Sequence, residues 1–156
     1  MAVAAADTQA QIRKPIPFDA KRLDKLMEEA GLDVIVATSK HNVQYLLGGY
    51  RFFFFDTMDA VGVTRYLPAV VYQKGRPESA AYIGCHMESH ERELNKFWPP
   101  TLDLNVIGSK EAMGQALAHI KTLGPVRRVG IENMRLEAAF DANNPRDENH
   151  AWDGVT

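Results

Sequence analysis

The sequence predicts an α/β fold: a layered domain with a mixed central β-sheet flanked by helices. Three observations carry that expectation. Helical stripes and short apolar runs alternate along the chain. The run "DVIVATS" shows no alternation of polar and apolar residues, as expected of a strand covered on both faces. Two further runs, "LPAVVYQKG" and "SAAYIG", flank turn chemistry at Gly75 and Pro77 and read as two strands joined by a turn.

In chain order, residues 1–17 contain alanine, glutamine and two prolines and read as a flexible tail. The first helix is "FDAKRLDKLMEEAGLD". Its stripe comprises Leu23, Leu26, Met27 and Ala30, with Asp19 as N-cap, Phe18 as staple on Leu23, and Gly31 as left-handed terminator. After the buried strand, Ser39 caps a second helix that places Val43, Leu46, Leu47 and Tyr50 on one side and stops at Gly48–Gly49. The stretch from Met58 to Tyr66 fits neither period. Beyond the strand pair, "HMESHERELNKFW" predicts a helix with Met87, His90, Leu94 and Phe97 inward, halted by Pro99 and Pro100. "LDLNVIG" is a strand. "SKEAMGQALAHIKTLGP" is a helix with Met113, Ala116, Leu117, Ile120 and Leu123 aligned. "RRVGIEN" is a last strand and "MRLEAAF" a last helical turn or two. The domain is thus expected over residues 18–140, followed by a polar linker over residues 141–156.

The 156-residue length fits one domain with tails. A net charge of -2 gives no basic footprint, so nucleic acid and anionic membrane are not expected partners. No run approaches the ~18 apolar residues of a membrane span, and the start lacks the basic, strongly apolar character of a signal peptide. Cys85 is the single cysteine, which excludes an intramolecular disulfide and suits a reduced, cytoplasmic setting.

The search for chemistry gives little. His86 and His90 stand four apart, a spacing that presents two imidazoles to one metal on a continuous helix, but the HExxH arrangement is missing. Against it stands the bland alternative that His90 belongs to the inner stripe and His86 to the cap. Cys85 beside His86 is adjacency rather than a dyad. Glu132 ends a buried strand, where a carboxylate caps or pairs. Neither a glycine-rich dinucleotide loop nor a phosphate loop occurs. What does stand out is "GGYRFFFFDTM", residues 48–58, with four consecutive phenylalanines where the pattern predicts a connection.

The stretch from Arg22 to Tyr50, "RLDKLMEEAGLDVIVATSKHNVQYLLGGY", resembles the N-terminal domain of the creatinase, prolidase and Xaa-Pro aminopeptidase family. The matching features are the Arg-Leu start, the "GLD" turn into a hydrophobic strand, and Asn42, Tyr45, Leu46 and Gly48 in an "N-x-x-Y-L-x-G" helix. "RRVGIE", Arg127 to Glu132, looks like the family's last strand, and "WDGVT" like the segment before its second domain. Arg51 to Leu67 departs from the pattern in length and composition.

The resemblance implies a non-catalytic domain of an Xaa-Pro peptidase or creatinase-like hydrolase, joined through the linker to a C-terminal catalytic domain. In the peptidases that domain holds a divalent metal pair (Mn, Co or Zn); no cofactor is expected within the present chain. The implied partners are further copies of the chain, in a homo-dimer or homo-tetramer, and its own catalytic domain. The implied interface or substrate-proximal loop comprises Tyr50, Arg51, Phe52, Phe53, Phe54, Phe55 and Arg65: aromatic rings for apolar contact, arginines for a carboxylate. Two alternatives compete. One is a stand-alone protein-binding module, as in histone chaperones of peptidase-like fold, for which the near-neutral charge is unfavourable. The other is a small enzyme built on Cys85, His86 and His90.

Overall fold

The computed structural model describes residues 14–53, 68–106 and 108–132. The elements are α1 (Ala20–Glu29), β1 (Val34–Ala37), α2 (Lys40–Leu46), β2 (Ala69–Gln73), β3 (Ala81–Cys85), α3 (Ser89–Glu93), β4 (Thr101–Val106), α4 (Ser109–Thr122) and β5 (Val129–Ile131). Short 3-10 turns at Pro77–Ser79 and His86–Glu88 flank β3. The anticipated helix "MRLEAAF", the stretch Met58 to Tyr66 and the linker fall outside the described residues. No helix among the described residues is long and apolar enough to cross a membrane.

The five strands form one mixed sheet in the order β4-β3-β2-β1-β5. β1 pairs antiparallel with β2 and parallel with β5, while β3 pairs antiparallel with β2 and parallel with β4. The layered α/β architecture expected from the sequence is the one present.

Two cores, one per face, account for the missing alternation in β1. On one face Val34, Val36, Val71 and Ile83 pack against Ala112, Met113, Ala116 and Ile120 of α4. On the other, Val70, Tyr72, Tyr82 and Leu104 meet Met27 of α1 and Val43, Leu46 and Leu47 of α2, with Ile35 at the margin. Residues pointing either way are therefore apolar, as in a sheet sandwiched between helices. Ile16, within the stretch read as a tail, also packs on the second core.

α1 is built by the signals anticipated. Asp19 accepts a hydrogen bond from the Arg22 amide at 3.0 Å. Gly31 takes φ +66° and the Leu32 amide returns to the Met27 carbonyl at 2.8 Å. The buried face is rotated from the expected stripe, however: Met27 is buried and Leu23 half-buried, but Leu26 and Ala30 are exposed. The cause is a polar requirement. Tyr72, fully buried in β2, needs an acceptor for its hydroxyl, and Asp24 supplies it at 2.9 Å while also accepting from the Gly75 amide at 2.8 Å. Burial pushes the Tyr72 phenol upward and the bond to Asp24 adds to it. With Asp24 turned to the sheet, Leu26 turns away.

The second correction concerns residues 86–98. In place of one helix with Met87, His90, Leu94 and Phe97 inward, a 3-10 turn leads into the five-residue α3, and Asn95 at φ 50° breaks the chain direction. Met87, His90 and Leu94 are exposed; Glu88 is the buried residue, and Phe97 and Trp98 rejoin the core. A carboxylate displaces the apolar side chains because several donors converge where it lies.

Candidate functional site: the segment after the second helix and its anchors

α2 is fixed at both ends by residues remote in sequence. At its start Ser39 Oγ accepts from the Asn42 amide, as expected of an N-cap. Glu132, just past β5, completes the cap. Its carboxylate accepts from the Thr38 amide at 2.6 Å, the Ser39 amide at 2.7 Å, Ser39 Oγ at 2.9 Å and the Asn42 side-chain amide. Burial alone would raise the Glu132 pKa. The backbone bonds from Ser39 and Thr38, with those from Asn42 and the Ser39 hydroxyl, outweigh it and hold the carboxyl below its ordinary range. At the other end, Trp98 Nε1 donates to the Leu46 carbonyl at 2.6 Å. Gly48 and Gly49, at φ +70° and +91°, end the helix. A Cβ on Gly48 would stand 2.6 Å from Pro17 Cβ, so this turn also needs the smallest residue for space.

The chain leaving Gly49 carries the aromatic run. Tyr50 is half-buried, its ring 4.7 Å from Phe97 at 77°, an edge-to-face pair. Its hydroxyl donates to Glu88 Oε2 at 2.8 Å. Arg51 is half-buried. Phe52 is sealed against Cys85 and Tyr50, whereas Phe53 is 68% exposed, its ring 4.8 Å from that of Phe52. Phe54, Phe55 and Arg65 lie outside the described residues. Of the two described phenylalanines, one ring turns inward and the next lies in solvent.

Glu88 is the inner anchor of this segment. Besides Tyr50, its carboxylate accepts from the Tyr82 hydroxyl at 2.8 Å and from the Cys85 amide at 2.8 Å. Cys85 and Glu88 form a reciprocal cap around the 3-10 turn, with Cys85 Sγ accepting from the Met87 amide at 3.4 Å. The β3–β4 ladder slips between Ile83 and Cys85, at Gly84. A Cβ on Gly84 would lie 2.6 Å from Glu88 Oε1 and 2.8 Å from the Tyr82 ring. Burial raises the Glu88 pKa and Glu91 adds to it, against the lowering effect of its three donors. Burial, then the Glu88 charge and hydrogen bond, raise the Tyr50 phenol strongly. In the sequence Glu88 reads only as one of the carboxylates near His86 and His90; the signal for its role is the spacing Cys85-x-x-Glu88, which fits a cap with a sulfur in place of a hydroxyl.

The two histidines are not brought together on one helix. His86 belongs to the 3-10 turn, its Nδ1 3.8 Å from Cys85 Sγ. His90 belongs to α3 and lies 3.5 Å from Glu93. No three histidine, cysteine, aspartate or glutamate side chains are grouped to hold a metal among the described residues. Cys85 itself is buried. A separate hollow of about 380 Å³ is bordered by Pro17, His41, Gln44, Tyr45, Gly48 and Gly49.

A search among curated proteins finds no significant match. The family model described as the creatinase/prolidase N-terminal domain matches residues 20–143, a span that begins with α1 and takes in the whole sheet and both anchors of α2. Because that match spans most of the chain, from α1 to just past β5 and Glu132, this chain belongs to the creatinase/prolidase N-terminal domain family.

Proposed function

We propose that this chain serves as the non-catalytic N-terminal domain of an Xaa-Pro peptidase or creatinase-like hydrolase, organising self-association and presenting the segment that begins at Tyr50 to a neighbouring active site. The observation that carries the reading is family membership over residues 20–143. The exposed ring of Phe53 beside the sealed ring of Phe52 supports the contact role. A large aromatic side chain held out on an anchored stem suits contact with another surface better than solvent.

In this reading bond cleavage belongs to a second domain, where a divalent metal pair would activate water in a peptidase. The described residues of this chain offer no grouped ligands for such a pair. Their part is to position: Glu132 and Trp98 fix α2, and Glu88 fixes the start of the segment it delivers.

The test is analytical ultracentrifugation of the full chain and its Phe53→Ser variant, with turnover of Xaa-Pro dipeptides and creatine measured in parallel. Concentration-dependent association that weakens in the variant, without turnover by the chain alone, is the expected result. A monomer at all concentrations, or turnover by the isolated chain, overturns the reading.

A further inference from the structure

The hydrogen bonds at Glu88 have one property in common: every partner is a donor. Tyr50 and Tyr82 both donate to Oε2 and the Cys85 amide donates to Oε1. An ionised carboxylate accepts all three as charge-assisted bonds, roughly twice as strong as neutral ones. A protonated carboxyl has lost its charge and carries a hydrogen that itself needs an acceptor, so the same arrangement holds its donors less firmly. The three donors differ in how they are fixed. Tyr82 is fully buried in β3 and the Cys85 amide is part of β3's backbone. Tyr50 alone stands on connecting chain, half-buried, ahead of the exposed Phe53.

We propose that the Glu88 carboxylate is a proton-operated latch on Tyr50–Phe53: ionised, it holds Tyr50 against the sheet; protonated, it releases Tyr50 and the strip carrying Phe52 and Phe53. The proton is taken up from solvent onto the carboxylate, and no other bond is made or broken. Burial favours protonation first, since Glu88 gains a proton more readily than an exposed glutamate, and one neighbouring charge adds to it. From α3, Glu91 faces the same space and disfavours a second negative charge, though Lys96 pairs with it. From the segment itself comes Tyr50, followed by the cationic Arg51, whose charge would act the other way; from β3 come Tyr82 and Cys85, with His86 beyond the sulfur. β4, which packs on the 3-10 turn, contributes Asp103, whose carboxylate is turned to Asn105.

By linkage, if the Tyr50 bond stabilises ionised Glu88, protonation of Glu88 must weaken the Tyr50 bond by the same factor. The test reads both sides of that cycle in the full chain, independently of any partner or of the proposed contact role. Carbon-13 at the tyrosine Cζ and glutamate Cδ positions is followed from about pH 8 to about pH 4, with a soluble gadolinium agent reporting which rings meet solvent. Tyr50 is expected to become accessible with the midpoint at which Glu88 titrates, while Tyr82 stays shielded. In Tyr50→Phe the Glu88 midpoint is expected to rise by about half a unit or more, the equivalent of one lost hydrogen bond. Tyr50 shielded throughout the Glu88 titration, Tyr82 opening with it, or an unmoved midpoint in the variant would each overturn the latch.

Discussion

The side-chain amide of Asn42, in the first turn of α2, donates to the carboxylate of Glu132, ninety residues further along the chain. This pairing explains two separate marks in the sequence at once. Asn42 opens the "N-x-x-Y-L-x-G" pattern and Glu132 closes "RRVGIE"; each looked like a feature of its own element, yet together they form one cap.

Replacing Glu132 by glutamine leaves one side-chain oxygen to accept from four donors. A loss of about 1–2 kcal/mol is expected, discounted for the partial exposure of the group. Asn42→Ala removes one donor and should cost less, about 1 kcal/mol. Because the two residues share a bond, the double variant should lose less than the sum. Urea denaturation of the four proteins measures this; strict additivity would show that the bond contributes nothing.

The same carboxylate gives the fold a dependence on acid. The folded pKa of Glu132 lies below its ordinary 4.5, and that of Asp33 is lowered by the backbone amides of Arg127 and Arg128, which donate at 2.8 and 3.0 Å. A depressed carboxyl stabilises the fold above its unfolded pKa, and that stabilisation is lost as pH falls through the folded value. Glu88 has the opposite sign, since its raised pKa makes the folded chain bind protons more readily. Urea midpoints taken across the range from neutrality to below 4.5 should therefore fall in the wild type, and fall less steeply in Glu132→Gln.

Gly84→Ala should destabilise by about 1–3 kcal/mol, because the new methyl meets two buried groups, Glu88 Oε1 and the Tyr82 ring, neither free to withdraw. Thermal unfolding measures it, with Gly114→Ala in α4 as the control. A Cβ at Gly114 meets nothing within 4 Å, and an alanine there should stabilise by up to about 1 kcal/mol.

On α1, the polar residue should matter more than the apolar one. Asp24→Ala strands the buried Tyr72 hydroxyl and the Gly75 amide and should cost about 1–3 kcal/mol. Leu26→Ala should cost less than about 0.5 kcal/mol, as Leu26 is 53% exposed. Adding Tyr72→Phe to Asp24→Ala should recover part of the loss. Equal costs for the two single variants would contradict the rotation of the helix described above.

What could be read from the sequence follows from what periodicity encodes. The unalternating "DVIVATS" announced a strand covered on both faces, and Val34 and Val36 on one core with Ile35 on the other bear this out. Ser39, Gly31 and Asp19 marked helix ends because capping is a local interaction. Glu88 and Asp24 were not legible in the same way. Each is drawn inward by tyrosine hydroxyls on neighbouring strands, and a stripe drawn from hydropathy assigns such carboxylates to solvent. The exposure of Met87 and Leu26 is the other side of that error. In the aromatic run, composition offers four equivalent rings, and only the packing of Phe52 on Cys85 and Tyr50 sets it apart from the exposed Phe53.

The cap of α2 has a consequence for synthesis. The ribosome emits residues 40–46 long before it emits Glu132, just past β5, so a nascent chain carries α2 with its leading amides dependent on water and Ser39 alone. Maturation of this helix, and of Tyr50 to Phe53 beyond its far end, must wait for β5 and Glu132 to emerge.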